Sequence, residues 1–222
     1  MPAQPTEPSP LAAELPGAPG TAAADAPPAC EAALQALIDR VKLAASRGRP
    51  QRIRGGGGKD FYGQRLHGEL LDVRPYAGVV SYEPSELVVT VRAGTRLREL
   101  EALLAEHGQC LPFEPPQFSV GSTVGGMVAA GLSGPARASV GAVRDYVLGL
   151  RMVNGRGEVL QFGGQVMKNV AGYDVSRLMA GALGTLGLVA ECSLKVLPRA
   201  PAEATLCFPM RQREALDQLH RW

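Results

Sequence analysis

The sequence predicts an α+β fold, on three observations. Strand-like runs and amphipathic helices follow one another without the regular βαβ alternation of a doubly wound parallel sheet. Two of the strand runs are joined by Asn154-Gly155-Arg156-Gly157, a hairpin signal. Between Pro112 and Pro135 lies a long Gly-, Ser- and Pro-rich passage that is too apolar for a solvated linker. The 222 residues, 45% hydrophobic and 20% charged, suffice for one compact body with an appended tail.

The elements read in order as follows. Residues 1 to 29 form a Pro- and Ala-rich leader with too little apolar surface to offset the entropy of ordering, and disorder is expected. A helix is predicted from Glu31 to Arg47, where Leu34, Leu37, Ile38, Val41 and Ala45 recur at helical spacing before Gly48 and Pro50. Strands are predicted at Gln51 to Arg54, Glu69 to Val73, Gly78 to Tyr82 and Leu87 to Arg92, each bounded by turn residues. A second helix, Leu97 to His107, turns Leu97, Leu100, Leu103 and Leu104 inward and its acids to solvent. The passage from 112 to 135 is backbone built to lie close to something. Strands resume at Tyr146 to Val153 and Gly157 to Phe162, the Asn-Gly pair between them favouring positive φ. A helix over Asp174 to Ala180, a strand over Gly187 to Leu197, a short strand over Ala204 to Phe208 and a helical start at Arg211 complete the chain.

Composition removes several classes of function. A net charge of +2, from 23 basic and 21 acidic side chains, offers no concentrated basic face for nucleic acid. No stretch reaches the ~18 apolar residues of a membrane helix. The leader lacks the basic start and apolar core of a secretory signal, so a cytoplasmic protein is expected. Cys30, Cys110, Cys192 and Cys207 are widely separated and read as free thiols. His67, His107 and His220 never pair at metal-ligand spacing and read as surface or helix-end residues. Lys168 reads as an exposed charge and Tyr173 as a packed ring. Neither a Gly-x-Ser-x-Gly elbow nor a His-Glu-x-x-His helix occurs.

Three glycine-rich segments carry the chemistry. In Arg54-Gly55-Gly56-Gly57-Gly58-Lys59, successive N–H groups without Cβ atoms between them can converge on a phosphate, with Arg54 or Lys59 adding charge. A P-loop is excluded, because Ile53 stands where its first glycine belongs and Asp60 where its hydroxyl residue belongs. The dinucleotide fingerprint fails at the same Asp60. A flexible surface turn is the competing reading. The second segment, Gly121-Ser122-Thr123-Val124-Gly125-Gly126, fits either a close ligand or tight helix packing. The third, Gly181-Ala182-Leu183-Gly184-Thr185-Leu186-Gly187-Leu188-Val189, taken alone is a glycine-rich turn before a strand.

In order and spacing, together with Arg144-Asp145-Tyr146-Val147-Leu148-Gly149, these segments resemble the PCMH-type FAD-binding domain of the vanillyl-alcohol-oxidase superfamily. The likeness covers roughly residues 50 to 198. Leu111-Pro112-Phe113-Glu114-Pro115-Pro116, the run from Phe162 to Asp174 and Leu178-Met179-Ala180-Gly181 are most similar to the FAD-binding accessory subunits of bacterial glycolate oxidase.

That resemblance implies two α/β subdomains over residues 30 to 200. It implies FAD held around its pyrophosphate by Arg54, Gly55, Gly56, Gly57, Gly58 and Lys59 with Gly121, Ser122, Thr123, Gly125 and Gly126. Arg144 and Asp145 would shape the pocket, and Gly187 and Val189 would meet the adenine or flavin through backbone groups. Some relatives tether FAD through a histidine in the first glycine loop. None lies between Arg54 and Gly63, so noncovalent FAD is expected. No catalytic residue and no metal are assigned. Family members continue into a cap domain, which is expected here only as a truncated start at 201 to 222; the expected partners are therefore a catalytic FAD-containing glycolate oxidase subunit and an iron–sulfur subunit. Together they would oxidise glycolate to glyoxylate, with peripheral membrane association through the complex. A redox-silent scaffold, or a component of another FAD-dependent 2-hydroxy-acid dehydrogenase, stands as the alternative.

Overall fold

The computed structural model describes residues 28–65, 67–164 and 173–221. The chain enters through helix α1, Pro28–Ser46, which therefore takes in the last residues assigned to the leader; the rest of that leader lies outside the described residues. Gly48 ends the helix by adopting φ 61°, which lets the Arg49 N–H reach back to the Ala44 carbonyl at 3.0 Å. Strands β1 (Gln51–Arg54) and β2 (Glu69–Asp72) then pair in parallel, Ile53 opposite Leu71.

A five-stranded sheet forms the larger part. Its strands are β3 (Val79–Glu83), β4 (Val88–Arg92), β6 (Val147–Val153), β7 (Val159–Gly163) and β8 (Leu188–Lys195), ordered β3-β4-β8-β6-β7, all antiparallel. The largely buried strands β4, β6 and β8 lie in the middle, while the more exposed β3 and β7 take the edges. Between β4 and β6 run α2 (Leu97–Glu106), the short strand β5 (Gln109–Cys110), α3 (Val124–Ala130), α4 (Arg137–Val140) and α5 (Val143–Tyr146). After β7 come α6 (Val175–Met179), then β8, then β9 (Leu197–Pro198), which pairs with β5, and finally α7 (Gln212–Leu219).

Two apolar clusters hold this together. In the larger one Leu97, Leu100 and Leu104 of α2 and Val124, Met127 and Val128 of α3 pack on Val89, Val91, Leu150 and Leu194 of the sheet. In the smaller one Leu34, Leu37 and Ile38 of α1 meet Leu71, Val73, Tyr76, Val153, Leu188 and Ala190. Strand β8 serves both. A register shift opposite Arg151 and Met152 breaks its alternation, so that Leu188 and Ala190 face α1 while Cys192 and Leu194 face α2 and α3. Burial pushes the Cys192 thiol up to about 12.

A polar link crosses between the two clusters. The Tyr76 hydroxyl donates to Glu191, which also accepts from Arg151 at 3.2 Å, and the Arg92 guanidinium lies 5.6 Å from the Tyr76 ring centroid. Burial and the adjacent carboxylate both push the Tyr76 hydroxyl upward. Partnership of this kind is what makes a buried charge tolerable.

Several elements differ from their sequence reading. The glycine-rich passage contains helix α3, whose small residues let it lie flat on β4: a Cβ on Gly125 would come 2.6 Å from the Ala93 Cβ. In the β6–β7 hairpin the positive φ falls on Gly157, at 74°, and not on the Asn154-Gly155 pair. Asn154 instead folds the turn by accepting from the N–H groups of Arg156 and Glu158 at 2.9 and 3.0 Å. No strand forms over Ala204 to Phe208, where the propensity is present but a partner strand is lacking among the described residues. Tyr173 is 95% exposed rather than packed, and Lys168 lies outside the described residues. All four cysteines are free, and His107 and His220 cap the ends of α2 and α7. Among the described residues no helix is long and apolar enough to cross a membrane.

Candidate functional site

The loop that follows β1 and the segment that leads into α3 lie directly against each other. A Cβ on Gly56 would stand 1.5 Å from the Gly121 carbonyl oxygen, and one on Gly55 would stand 2.2 Å from Thr123 Oγ1. No side chain fits at either place. Gly58 abuts Ser119 and Ser122, whose hydroxyls lie 2.6 and 3.0 Å from its Cβ position. Gly56 is therefore required by contact between two backbones, and Gly55 and Gly58 by the hydroxyl side chains packed on them, so the loop is not an open surface turn.

The second segment is held by the junction between β4 and α2. Val124 and Gly125 donate to the carbonyls of Thr95 and Ala93 at 2.9 and 2.8 Å, and Leu97 donates to Ser122 at 2.8 Å. Thr123 caps α3, its Oγ1 accepting from the Gly126 N–H at 3.2 Å. Gly126 itself is uncrowded apart from that hydroxyl. The third segment docks on the far end of α3, with Gly181 and Leu183 donating to Val128 and Ala129 at 3.0 and 2.8 Å. This docking holds Leu183 at φ 53°, a left-handed conformation for a branched residue. Gly184 then passes 3.4 Å from Ile53 of β1, measured to its Cβ position.

Most of the residues singled out from sequence thus converge: Arg54 to Lys59 on Gly121 to Gly126, with the 181–187 turn alongside. Gly187, at φ 145°, lies against Met152 and Val153 and lines a groove of about 240 Å³ shared with Val41, Ala44, Ile53 and Leu188. The Val189 side chain points into the larger core, leaving only its backbone for any ligand. Arg144 and Asp145 stand on α5, both exposed. The Asp145 carboxylate is committed to the Ala142 N–H at 2.9 Å.

The charges of the first loop have separate fates. Arg54 turns onto Asp60, with Nε and Nη2 both on Oδ2 at 2.8 and 2.7 Å. Lys59 has no carboxylate partner among the described residues. Its ammonium lies 5.8 Å from the centroid of the Phe118 ring, which Phe61 meets edge-on at 5.0 Å. Burial lowers the Lys59 pKa below the ordinary lysine value.

Sequence reading missed Ser119. Its hydroxyl is buried without a hydrogen-bond partner among the described residues, directly beside Gly58. A buried donor left unsatisfied costs ~1–3 kcal/mol. The Ser119 hydroxyl, the half-buried Lys59 ammonium and a run of bare backbone N–H groups together make a set of donors with no acceptor among the described residues. A phosphate-bearing cofactor fits such a set.

Comparison with known proteins defines the class. A family model described as an FAD binding domain matches residues 28–163, and the chain belongs to that family. Glycolate oxidase subunit GlcE of Escherichia coli (strain K12) is 50% identical over 188 residues, which cover 85% of this chain and 54% of that protein. Glycolate oxidase subunit GlcD of Bacillus subtilis (strain 168) is 33% identical over 128 residues, 58% of this chain and 27% of that protein. The chain thus spans about half of the first relative and about a quarter of the second. In fold it is similar to the solved alkyldihydroxyacetonephosphate synthase, with a TM-score of 0.61 and 24% identity over 76% of this chain and 31% of that one.

The contrast between Gly56 and Gly126 is testable. Gly56→Ala should force the two backbones apart, lowering stability by about 1–3 kcal/mol and abolishing FAD retention. Gly126→Ala should keep the FAD-free stability within ~1 kcal/mol and still weaken FAD binding about 10-fold or more. Denaturant unfolding and FAD titration of both variants check this; equal FAD affinity in Gly126→Ala and the parent would remove Gly126 from the site.

Proposed function

We propose that the chain is the FAD-holding part of a glycolate oxidase accessory subunit, and that the contact of Gly56 with Gly121 is the seat of the FAD pyrophosphate. The observation that carries the reading is the donor set at that seat, in which Lys59 and Ser119 have no protein acceptor among the described residues. The 50% identity to GlcE supports the choice of complex.

In this reading the backbone N–H groups of Gly55 to Gly58 bind the diphosphate, the 121–126 segment, most of whose N–H groups are bonded within the protein, walls the site, and Lys59 supplies the counter-charge. Phe118 stands beside Lys59 and Phe61 packs edge-on against it, both rings exposed in the free protein. The groove beside Gly184 and Gly187 receives one end of the cofactor against Ile53 and Leu188. FAD, once bound, supplies the electron acceptor for hydroxy-acid oxidation, and this chain's share is to hold and orient it. The cofactor is held noncovalently, since no histidine lies in the loop and His67 is exposed. A catalytic FAD-containing subunit and an iron–sulfur subunit complete the complex, which oxidises glycolate to glyoxylate.

Two measurements test this reading. The purified chain should show flavin absorbance that passes wholly into the supernatant on acid denaturation; a colourless chain that takes up no added FAD contradicts it. Phosphate binding restores to Lys59 the charge partner that burial withholds, so its pKa is higher in the complex than in the free protein. FAD affinity should therefore be flat at low pH and fall as pH rises through the Lys59 pKa of the free protein. In Lys59→Gln the affinity should be weaker and this fall absent.

A further inference from the structure

Arg54 and Asp60 close a ring around the first glycine loop. The guanidinium places two donors on one carboxylate oxygen, and the Asp60 N–H returns to the Gly57 carbonyl at 3.1 Å. Inside the ring Gly57 adopts φ 73°, and a Cβ there would lie 2.1 Å from Arg54 Nη2. The guanidinium thus lies flat against the Gly57 backbone. Both side chains are partly exposed, 33% for Arg54 and 42% for Asp60.

We propose that Arg54 and Asp60 form a latch that fixes the shape of the glycine loop, which makes Asp60 a positioning residue of the anion site and Arg54 its brace rather than a phosphate ligand. The ligand rests on the FAD reading above; the latch rests on the loop's own geometry. Three features follow from it. Gly57 is required twice, by its φ and by the guanidinium that covers it. Lys59 is left as the loop's cation without a carboxylate partner among the described residues, one residue before the carboxylate that holds Arg54 away. The N–H groups of Gly55 to Gly58 are presented at a fixed spacing before any ligand arrives, so less ordering is required on binding.

The rival assignment, Arg54 as a direct phosphate ligand, predicts the opposite sign for one substitution. If Asp60 competes with phosphate for Arg54, removing its charge must tighten FAD binding. If Asp60 positions the loop, removing its charge must loosen it.

The test is FAD titration of the parent, Asp60→Asn, Arg54→Gln, the double variant and Asp60→Glu, together with amide hydrogen exchange at residues 56–59 in the FAD-free proteins. The latch predicts that each single substitution weakens FAD by about 2- to 5-fold, as expected for a half-exposed pair. The double variant should be no weaker than either single one, because the same interaction is lost only once. Asp60→Glu should recover part of the affinity, and exchange at the loop amides should quicken in both single variants. Tighter FAD binding by Asp60→Asn, or losses that multiply in the double variant, would overturn the proposal. Should the parent bind no FAD, the flavin reading falls; amide exchange alone then decides the latch, and unchanged exchange in both single variants overturns it.

Discussion

The contact of Gly56 with Gly121 is the constraint on which the site depends. Two backbones meet there with no room for a Cβ, so the glycine loop takes its shape from a neighbour far along the chain. Glycine loses more conformational freedom on folding than other residues, and four in succession make a loop that is costly to order. The cost is acceptable only where bare backbone is needed. Here the need is double, since the loops must touch each other and must leave their N–H groups free of side chains.

The remainder of the fold holds those two backbones in register. Strand β1 delivers Gly55 from the smaller unit, and the turn from β4 into α2 carries the 121–126 segment on the larger one through the carbonyls of Ala93 and Thr95. Strand β8 joins the units by giving Leu188 and Ala190 to one core and Cys192 and Leu194 to the other. The bridge of Tyr76 to Glu191 and Arg151 adds a polar tie across the same boundary.

Much of this was legible in the sequence wherever the pattern was local. Leu97, Leu100 and Leu104 of α2 repeat at helical spacing and are buried as that spacing requires, Leu103 being only partly covered, and β4, β6 and β8 lie where their apolar runs stand. The glycine segments marked the site because glycines in such number are costly to order unless bare backbone is needed. What escaped is non-local. For the segment leading into α3 the sequence left helix packing and a close ligand both open, since the helix's stability comes from lying close on Ala93 and not from its own propensity. Ala204 to Phe208 carry strand propensity but form no strand, since sheet pairing is set by neighbours and not by propensity alone. Ser119 gave no signal, as a single serine beside a phenylalanine resembles any other. The pairing of Arg54 with Asp60 also gave no signal, because the sequence does not show that the carboxylate lies within reach of the guanidinium.

In the proposed function the pyrophosphate, rather than the isoalloxazine or the adenine, is what the glycine seat grips. Calorimetric titration of the chain with FAD, ADP and riboflavin tests this most directly. FAD and ADP should bind measurably, and riboflavin should bind at least ~100-fold more weakly than FAD, the equivalent of losing two charge-assisted hydrogen bonds. Riboflavin binding as tight as FAD, with no detectable ADP binding, would contradict it.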